Sequence, residues 1–247
     1  MHNFFEIIIP TYNVERWIDI TLDSCFSQDY PTDRFLVRIA DANSTDNTFY
    51  KILNCCKYST NLICYRHNRR VFPLENTKFL VNNCNAKSIC VLVDGDDFLA
   101  HHTVLKKLNE VYNENVWMTC GSYIEYPVIY MPPPHTPFTK HEMDNNLYRE
   151  SGKWPSHLRT FRKELFEKIP DEYFKDSSGN YYDVSGDIAY TYPMLEMAAE
   201  RFHYITDPLY RYNKINPISD FATMPKKQEI VAETIKRKYK FNRLEKL

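Results

Sequence analysis

The sequence predicts an α/β protein: a Rossmann-like, mostly parallel sheet with helices on both faces, followed by a less regular second half. Three observations predict it. Short unbroken apolar runs alternate with segments of helical spacing over roughly the first 120 residues. Polar clusters follow those runs directly, at the position where open α/β sheets hold their ligands. The composition, 43% hydrophobic and 26% charged over 247 residues, supplies enough apolar surface for one sizeable core.

The elements follow in order. Phe4–Ile9 is a continuous apolar run stopped by Pro10, as in a buried first strand. From Glu15 to Phe26, apolar residues fall at Trp17, Ile18, Leu22 and Phe26, which is helical spacing. Phe35–Ala40 is the second strand. Ser44 and Thr45 are good N-cap types for a helix with Phe49, Ile52, Leu53 and Cys56 on one face. Leu62–Tyr65 reads as the third strand and Thr77–Cys84 as the third helix. Ser88–Val93 is the fourth strand, and Thr103–Tyr112 is an amphipathic helix built on Val104, Leu105, Leu108, Val111 and Tyr112. Trp117–Tyr123 is a further strand.

Tyr126–Lys153 contains Pro127, Pro132, Pro133, Pro134 and Pro137 and reads as a long loop. Helices are expected over Lys163–Ile169 and Ile188–Glu200, with Pro193 kinking the second or shifting its start. The segment 226–247 carries eight Lys or Arg against three Glu, which predicts a basic, solvated helix with an affinity for anionic membrane surfaces as the sharper alternative.

A net charge of −1, from 31 basic and 32 acidic residues, argues against a nucleic-acid binder. No apolar run is long enough to span a bilayer, and Met1–Pro10 lacks the features of a signal peptide. The seven cysteines include no CxxC pair and mostly sit in apolar stretches, so they read as buried thiols in a reducing compartment. The Asn43-Ser44-Thr45 sequon falls inside the expected ligand site, which again favours the cytosol.

Three segments would share one sheet edge: Pro10-Thr11-Tyr12-Asn13, Asp41 to Asp46, and Asp94-Gly95-Asp96-Asp97. Three carboxylates in four residues repel one another unless a cation sits among them, and carboxylate oxygens suit magnesium or manganese. Such a metal would complete its shell with phosphate oxygens and neutralise a departing phosphate. The alternative is a solvated Asp-Gly turn. Asp41 would accept hydrogen bonds from a base or ribose, or cap the next helix. Tyr12 would stack on a base or cover the core edge. Farther on, Asp187 could serve as a general base or cap the helix it starts, and Asp183 competes with it. His157 and Arg159 suit diphosphate or acceptor binding, or buried packing; Trp154 suits sugar stacking, or core.

The pattern resembles family 2 glycosyltransferases of the GT-A fold. The carrying residues are Ile7 to Asn13, Asp41 through Thr48, and Val91 to Asp97. In the second half, Trp154 to Phe161, Gly186-Asp187 with Tyr192 to Met197, and Leu209 to Asn213 with Asn216-Pro217 also match. The resemblance implies one GT-A catalytic domain over 1–247. Within it, about 1–123 would bind the nucleotide-sugar, about 124–225 would bind the acceptor and supply the base, and 226–247 would be a basic helix. It implies that Pro10, Thr11, Tyr12, Asn13 and Asp41 contact the nucleoside, and that Asp94 and Gly95 approach the ribose or diphosphate. Asp96 would be the main metal ligand with Asp97 beside it, and Asp187 the base of an inverting single displacement. Two departures stand out. Ala42 replaces a second acidic residue, and Gly186 replaces a Glu before the base.

The expected protein is therefore a metal-dependent transferase, with manganese or magnesium, of a sugar from a nucleotide-diphospho-sugar, UDP-linked by family frequency, to a glycan hydroxyl. The cytosol or a cytosolic membrane face is its expected place. Rivals are a sugar-nucleotide nucleotidyltransferase and a non-catalytic binding protein. Pro10–Glu15 lacks the glycines and lysine the first would need, and the acidic triplet with Asp187 argues against the second.

Overall fold

A computed structural model describes residues 2–127, 136–218 and 223–247. Four strands come first: β1 (Phe5–Thr11), β2 (Phe35–Asp41), β3 (Leu62–Arg66) and β4 (Ile89–Leu92). β1 pairs in parallel with β2 and β4, and β2 with β3. Their apolar runs are continuous because both sheet faces are covered. Ile7 and Ile9 of β1 enter one core with Val37 and Ile39, whereas Ile8 enters the other with Ala40 and Leu92. The one charge inside β1, Glu6, is fully buried and ion-paired with Arg38 of β2.

The intervening helices are α1 (Ile18–Phe26), α2 (Thr48–Cys56) and α3 (Pro73–Asn82). Neither Ser44 nor Thr45 caps α2. Asp46 accepts the Thr48 N–H at 3.0 Å, while Ser44 Oγ is used by the Asn13 N–H. α3 starts earlier than its apolar spacing predicts, because Pro73 is favourable at the first helical turn.

Beyond β4 the sheet changes character. It continues with β5 (Phe98–Leu99), α4 (Val104–Tyr112), β6 (Met118–Tyr126), α5 (Lys140–Asp144), β7 (Thr160–Arg162), α6 (Lys163–Phe166), α7 (Gly186–Ala198), β8 (Phe202–Asn213) and α8 (Pro225–Lys236). The order is β3-β2-β1-β4-β7-β6-β8-β5, and four of its seven pairings are parallel. β7 lies antiparallel between β4 and β6. Pro132, Pro133 and Pro134 lie outside the described residues. The rest of the expected Tyr126–Lys153 loop is not structureless: α5 sits within it, closed by a capping box in which Thr139 and Glu142 exchange hydrogen bonds.

α7 starts at Gly186 and runs through Pro193; twelve of its thirteen residues are buried. The expected helix over 226–247 is helical only to Lys236. Arg149 takes the carbonyls of Lys236 and Lys238, and Phe241, Leu244 and Leu247 then pack against the core as irregular chain. Among the described residues no helix is long and apolar enough to cross a membrane, and all seven cysteines are free thiols.

Candidate active site

Parallel pairing puts the carboxyl ends of β1, β2 and β4 on one edge, with Thr11 opposite Asp41. The turn after β4 is closed by the Asp97 N–H donating to the Asp94 carbonyl at 2.9 Å. Gly95 is there because nothing larger fits: a Cβ would lie 2.5 Å from Thr11 Cγ2 and 3.1 Å from the Pro10 carbonyl oxygen.

The acidic turn is held from far along the chain. Asp97 Oδ1 accepts the Asn213 N–H at 2.7 Å, and its Oδ2 accepts the Tyr210 hydroxyl at 2.8 Å. Asn216 Nδ2 donates to Asp96 Oδ2 at 2.6 Å. The His157 ring stacks on Tyr210 with centroids 4.6 Å apart and places Nε2 3.5 Å from Asp94 Oδ2. Its buried Nδ1 has no hydrogen-bond partner. One ligand atom each from Asp94, Asp97 and His157 lies within 4.8 Å of the others. Asp96, expected as the main metal ligand, is outside that group.

Charge is concentrated here. Burial, then the charges of Asp96 and Asp94, push the Asp97 carboxyl well above the usual carboxylate range. Desolvation works against the Asp94 carboxylate too, but the His157 hydrogen bond and charge, with Arg159, hold it below that range. Burial, followed by the Arg159 charge, keeps His157 below its ordinary value, against the opposing pull of Asp94. A divalent cation would relieve the carboxylate crowding, and carboxylate oxygens with an imidazole nitrogen are donor types that suit manganese. The residues fit such an ion.

A second acidic group faces the same space. Asp187 sits in the first turn of α7, and Arg159 Nη2 donates to its Oδ2 at 2.8 Å. Arg159 is buried, and its charge is favoured by Asp187 and Asp94 against the cost of desolvation. Gly186 lets this turn approach α3, since a Cβ there would sit 2.5 Å from Leu74 Cβ. The Glu that the family pattern often carries at this point has no room. Asp183, the competing acid, is ion-paired with Lys227.

The two sets share a cleft of about 760 Å³, within the range of small-ligand sites. Pro10, Thr11, Tyr12, Asp94, Gly95, Asp96, Asp97, Trp154, His157, Arg159 and Asp187 line it. Asn13 and Asp41 do not. Asn13 Oδ1 accepts the Thr45 N–H at 2.9 Å. Asp41 is fully buried, accepts the Ser44 N–H and lies 3.4 Å from Arg66 Nε. Both brace the loop behind the cleft in this structure.

Sequence reasoning gave no role to Arg70, Tyr210, Tyr212, Asn213 or Asn216. Arg70 lines the cleft with its guanidinium 3.4 Å above the Tyr12 ring, on the surface where a base was expected to stack. The Tyr-x-Tyr-Asn alternation of β8 was visible, but nothing local ties it to a turn more than a hundred residues earlier.

The family model described as Glycosyl transferase family 2 matches residues 6–170. A 46-residue stretch, 19% of this chain and 14% of the relative, is 48% identical to dolichyl N-acetyl-alpha-D-glucosaminyl phosphate 3-beta-D-2,3-diacetamido-2,3-dideoxy-beta-D-glucuronosyltransferase of Methanococcus voltae. A 44-residue stretch is 46% identical to the poly(ribitol-phosphate) beta-N-acetylglucosaminyltransferase TarS of Staphylococcus aureus, covering 18% of this chain and 8% of TarS. The matches thus span a small part of those relatives. In three dimensions the chain is similar to S. aureus TarS 1–349 in complex with UDP-GlcNAc, with a TM-score of 0.68, 18% identity, and coverage of 94% of this chain and 65% of that one. It is also similar to the mannosyltransferase PcManGT of Pyrobaculum calidifontis in complex with GDP-Man and Mn2+, with a TM-score of 0.60, 19% identity, and coverage of 86% and 57%. At these identities the likeness is one of fold.

Proposed function

We propose a sugar-transfer reaction on the premise that this chain belongs to glycosyl transferase family 2. The donor is a nucleotide-diphospho-sugar, and the acceptor is a hydroxyl of a glycan. The observation that carries the reading is the shared cleft: an acidic turn with His157 on one wall, and Asp187 on another. The acceptor hydroxyl gives its proton to Asp187 as its oxygen attacks the anomeric carbon. The bond to the diphosphate breaks, and its electron pair leaves with the nucleotide. Attack from the face opposite the leaving group inverts the anomeric centre. A sugar hydroxyl is a poor nucleophile near neutral pH, so a positioned carboxylate is what the step needs.

Arg159 orients Asp187 through their 2.8 Å hydrogen bond. Asp94, Asp97 and His157 would hold a divalent cation, whose chemistry when bound is to offset charge on the diphosphate. A UDP-sugar is the first donor to test, because TarS is named with UDP-GlcNAc; a GDP-sugar is the second, because PcManGT is named with GDP-Man. The free thiols fit a cytosolic setting, and the basic C-terminal segment fits contact with a membrane surface there.

Thermal unfolding with UDP, GDP, CDP and TDP, with and without manganese, tests the reading. One nucleotide with metal should stabilise the protein by about 2.7 kcal/mol at a hundredfold its dissociation constant. The matching nucleotide-sugar should then release that nucleotide when a glycan acceptor is added. No stabilisation by any of the four, with or without metal, refutes the donor site.

A further inference from the structure

Helix α8 turns one stripe into the cleft: Pro225, Gln228, Glu229, Ala232, Glu233 and Lys236. The spacing is that of one helical face, so α8 lies along the cleft as a wall. It is tied to the loop that carries Asp187. Lys227 pairs with Asp183, and Ser185 Oγ donates to the Gln228 carbonyl at 2.9 Å. The wall therefore adjoins the loop that leads into Asp187.

What holds α8 in place is buried and remote. Arg149 is 6% exposed and forms a two-pronged pair with Glu196 of α7 at 2.5 and 2.7 Å. Its other donor contacts reach the Tyr173 hydroxyl at 3.0 Å and backbone at and beyond the end of α8: the carbonyls of Lys236 at 3.2 Å, Lys238 at 2.7 Å and Tyr239 at 3.2 Å. Glu196 also accepts the Phe241 N–H at 2.9 Å. Tyr173 closes the clamp, edge-on to both Tyr239 and Phe241. Neither Arg149 nor Glu196 lines the cleft.

We propose that α8 is the acceptor-selecting wall of the cleft, and that Arg149 and Glu196 are the positioning residues that hold it there. The proposal rests on the transferase reading above, since Asp187 is what marks the acceptor side. It also names an acceptor class. Among the described residues lining the cleft, Lys236 faces Glu233 and Arg159 faces Asp187, Arg70 lies over the Tyr12 ring on the nucleoside side, and Lys227 beside the cleft faces Asp183. Glu229 is the carboxylate left over, with no ion pair among the described residues. A phosphate or carboxylate entering here would meet no unmatched positive charge. The entering end of the acceptor is thus polyhydroxylated and uncharged.

The test uses the full chain, as wild type and as Arg149→Lys, Glu196→Gln, Glu229→Gln and Glu229→Lys. Amide hydrogen exchange is followed over 225–241 and over β1. Affinity is measured for the stabilising nucleotide. Transfer from the matching nucleotide-sugar is measured with methyl glycosides of neutral hexoses, with methyl glycosides of hexuronic acids, and with glycerol phosphate. The clamp variants should speed exchange over 225–241 at least tenfold and leave β1 exchange and nucleotide affinity within twofold. They should also raise the KM for neutral glycosides at least fivefold, with kcat nearly unchanged. Glu229→Lys should lower the KM for the hexuronides relative to neutral glycosides, and Glu229→Gln should do so less.

Faster exchange with an unchanged acceptor KM would overturn α8 as the selecting wall. Nucleotide affinity falling in step with acceptor use would make the clamp a general structural pair. A wild-type chain that binds nucleotide yet uses only the anionic acceptors, or none, would overturn the acceptor class. A wild-type chain that binds no nucleotide is a failure of the transferase reading instead. The clamp is then judged on exchange alone, and unchanged exchange in Arg149→Lys and Glu196→Gln would sink it.

Discussion

Gly186→Ala should disable the site while leaving the protein folded. The added Cβ would lie 2.5 Å from Leu74 Cβ, 3.3 Å from its Cγ and 3.4 Å from its Cα. Carbon atoms in contact settle at about 3.5–4.0 Å, so the first turn of α7 must move by about 1 Å. Overpacking of this kind costs about 1–3 kcal/mol. Alanine recovers up to about 1 kcal/mol of helix propensity. The net loss of up to about 2 kcal/mol should lower the melting temperature by no more than about 8 °C. The rate is more sensitive, because displacing a positioned group by 1 Å can cost about a hundredfold. Asp187 is the next residue, and its bond to Arg159 moves with the turn. The assay pairs thermal unfolding with single-turnover transfer. Leu74→Ala in the same chain should not rescue it, because the clashing Cβ remains; Leu74→Gly should recover part of the rate. A Gly186→Ala protein with wild-type melting and wild-type transfer would refute the packing argument.

Other outcomes follow from the same geometry. Asp187→Asn should keep nucleotide-induced stabilisation and lose transfer by about 10²–10⁴, the usual worth of a general base; equal transfer would put the base elsewhere. Asp94→Ala should remove the manganese-dependent part of nucleotide stabilisation, which titration calorimetry with and without the metal would read directly. Glu142 is held down to about 2 from 4.5, first by its hydrogen bond from Lys153 and then by the Thr139 N–H. A carboxyl depressed in the folded state adds stability above its unfolded value and loses it as pH falls through the folded one. The melting-temperature gap between wild type and Glu142→Gln should therefore be constant above pH 4.5 and close between there and about pH 2. A gap that persists at pH 2 would count against the capping box as the anchor of α5.

Much of the first half was legible because its signals are local. β1, β2 and β4 are buried on both faces, so they read as unbroken apolar runs, and α4 shows a clear apolar stripe. The second half was legible in part. The helix expected over Ile188–Glu200 is α7, but it is buried all round, and its start at Gly186, where the turn packs against Leu74, carries no local signal. β8 alternates irregularly between buried and exposed residues and contains Pro208. The site followed the same division. Asp94 to Asp97 announce themselves by charge density. That His157 and Asp94 approach each other, and that Tyr210 and Asn213 hold Asp97, depends on strand order, which one sequence does not encode locally. The burial of Asp41 and its bond from the Ser44 N–H were not visible in the sequence, because they depend on how the loop after β2 folds back.

β7 is only three residues long, yet it decides how this chain can be cut. It is stitched between β4 and β6, both of which precede it in the chain. A division near residue 123 would strip β4 of its neighbour and expose an apolar edge ready to pair with another chain. The family match ends at residue 170, just after that strand. A cut at the midpoint of this chain therefore separates strands that are paired in the sheet. A crossover beyond Arg162 would keep Arg159 with the acidic turn but would exchange β8 along with Asp187, α7 and α8, so the incoming β8 must still pair with β6 and β5 and supply the contacts that Tyr210 and Asn213 make to Asp97.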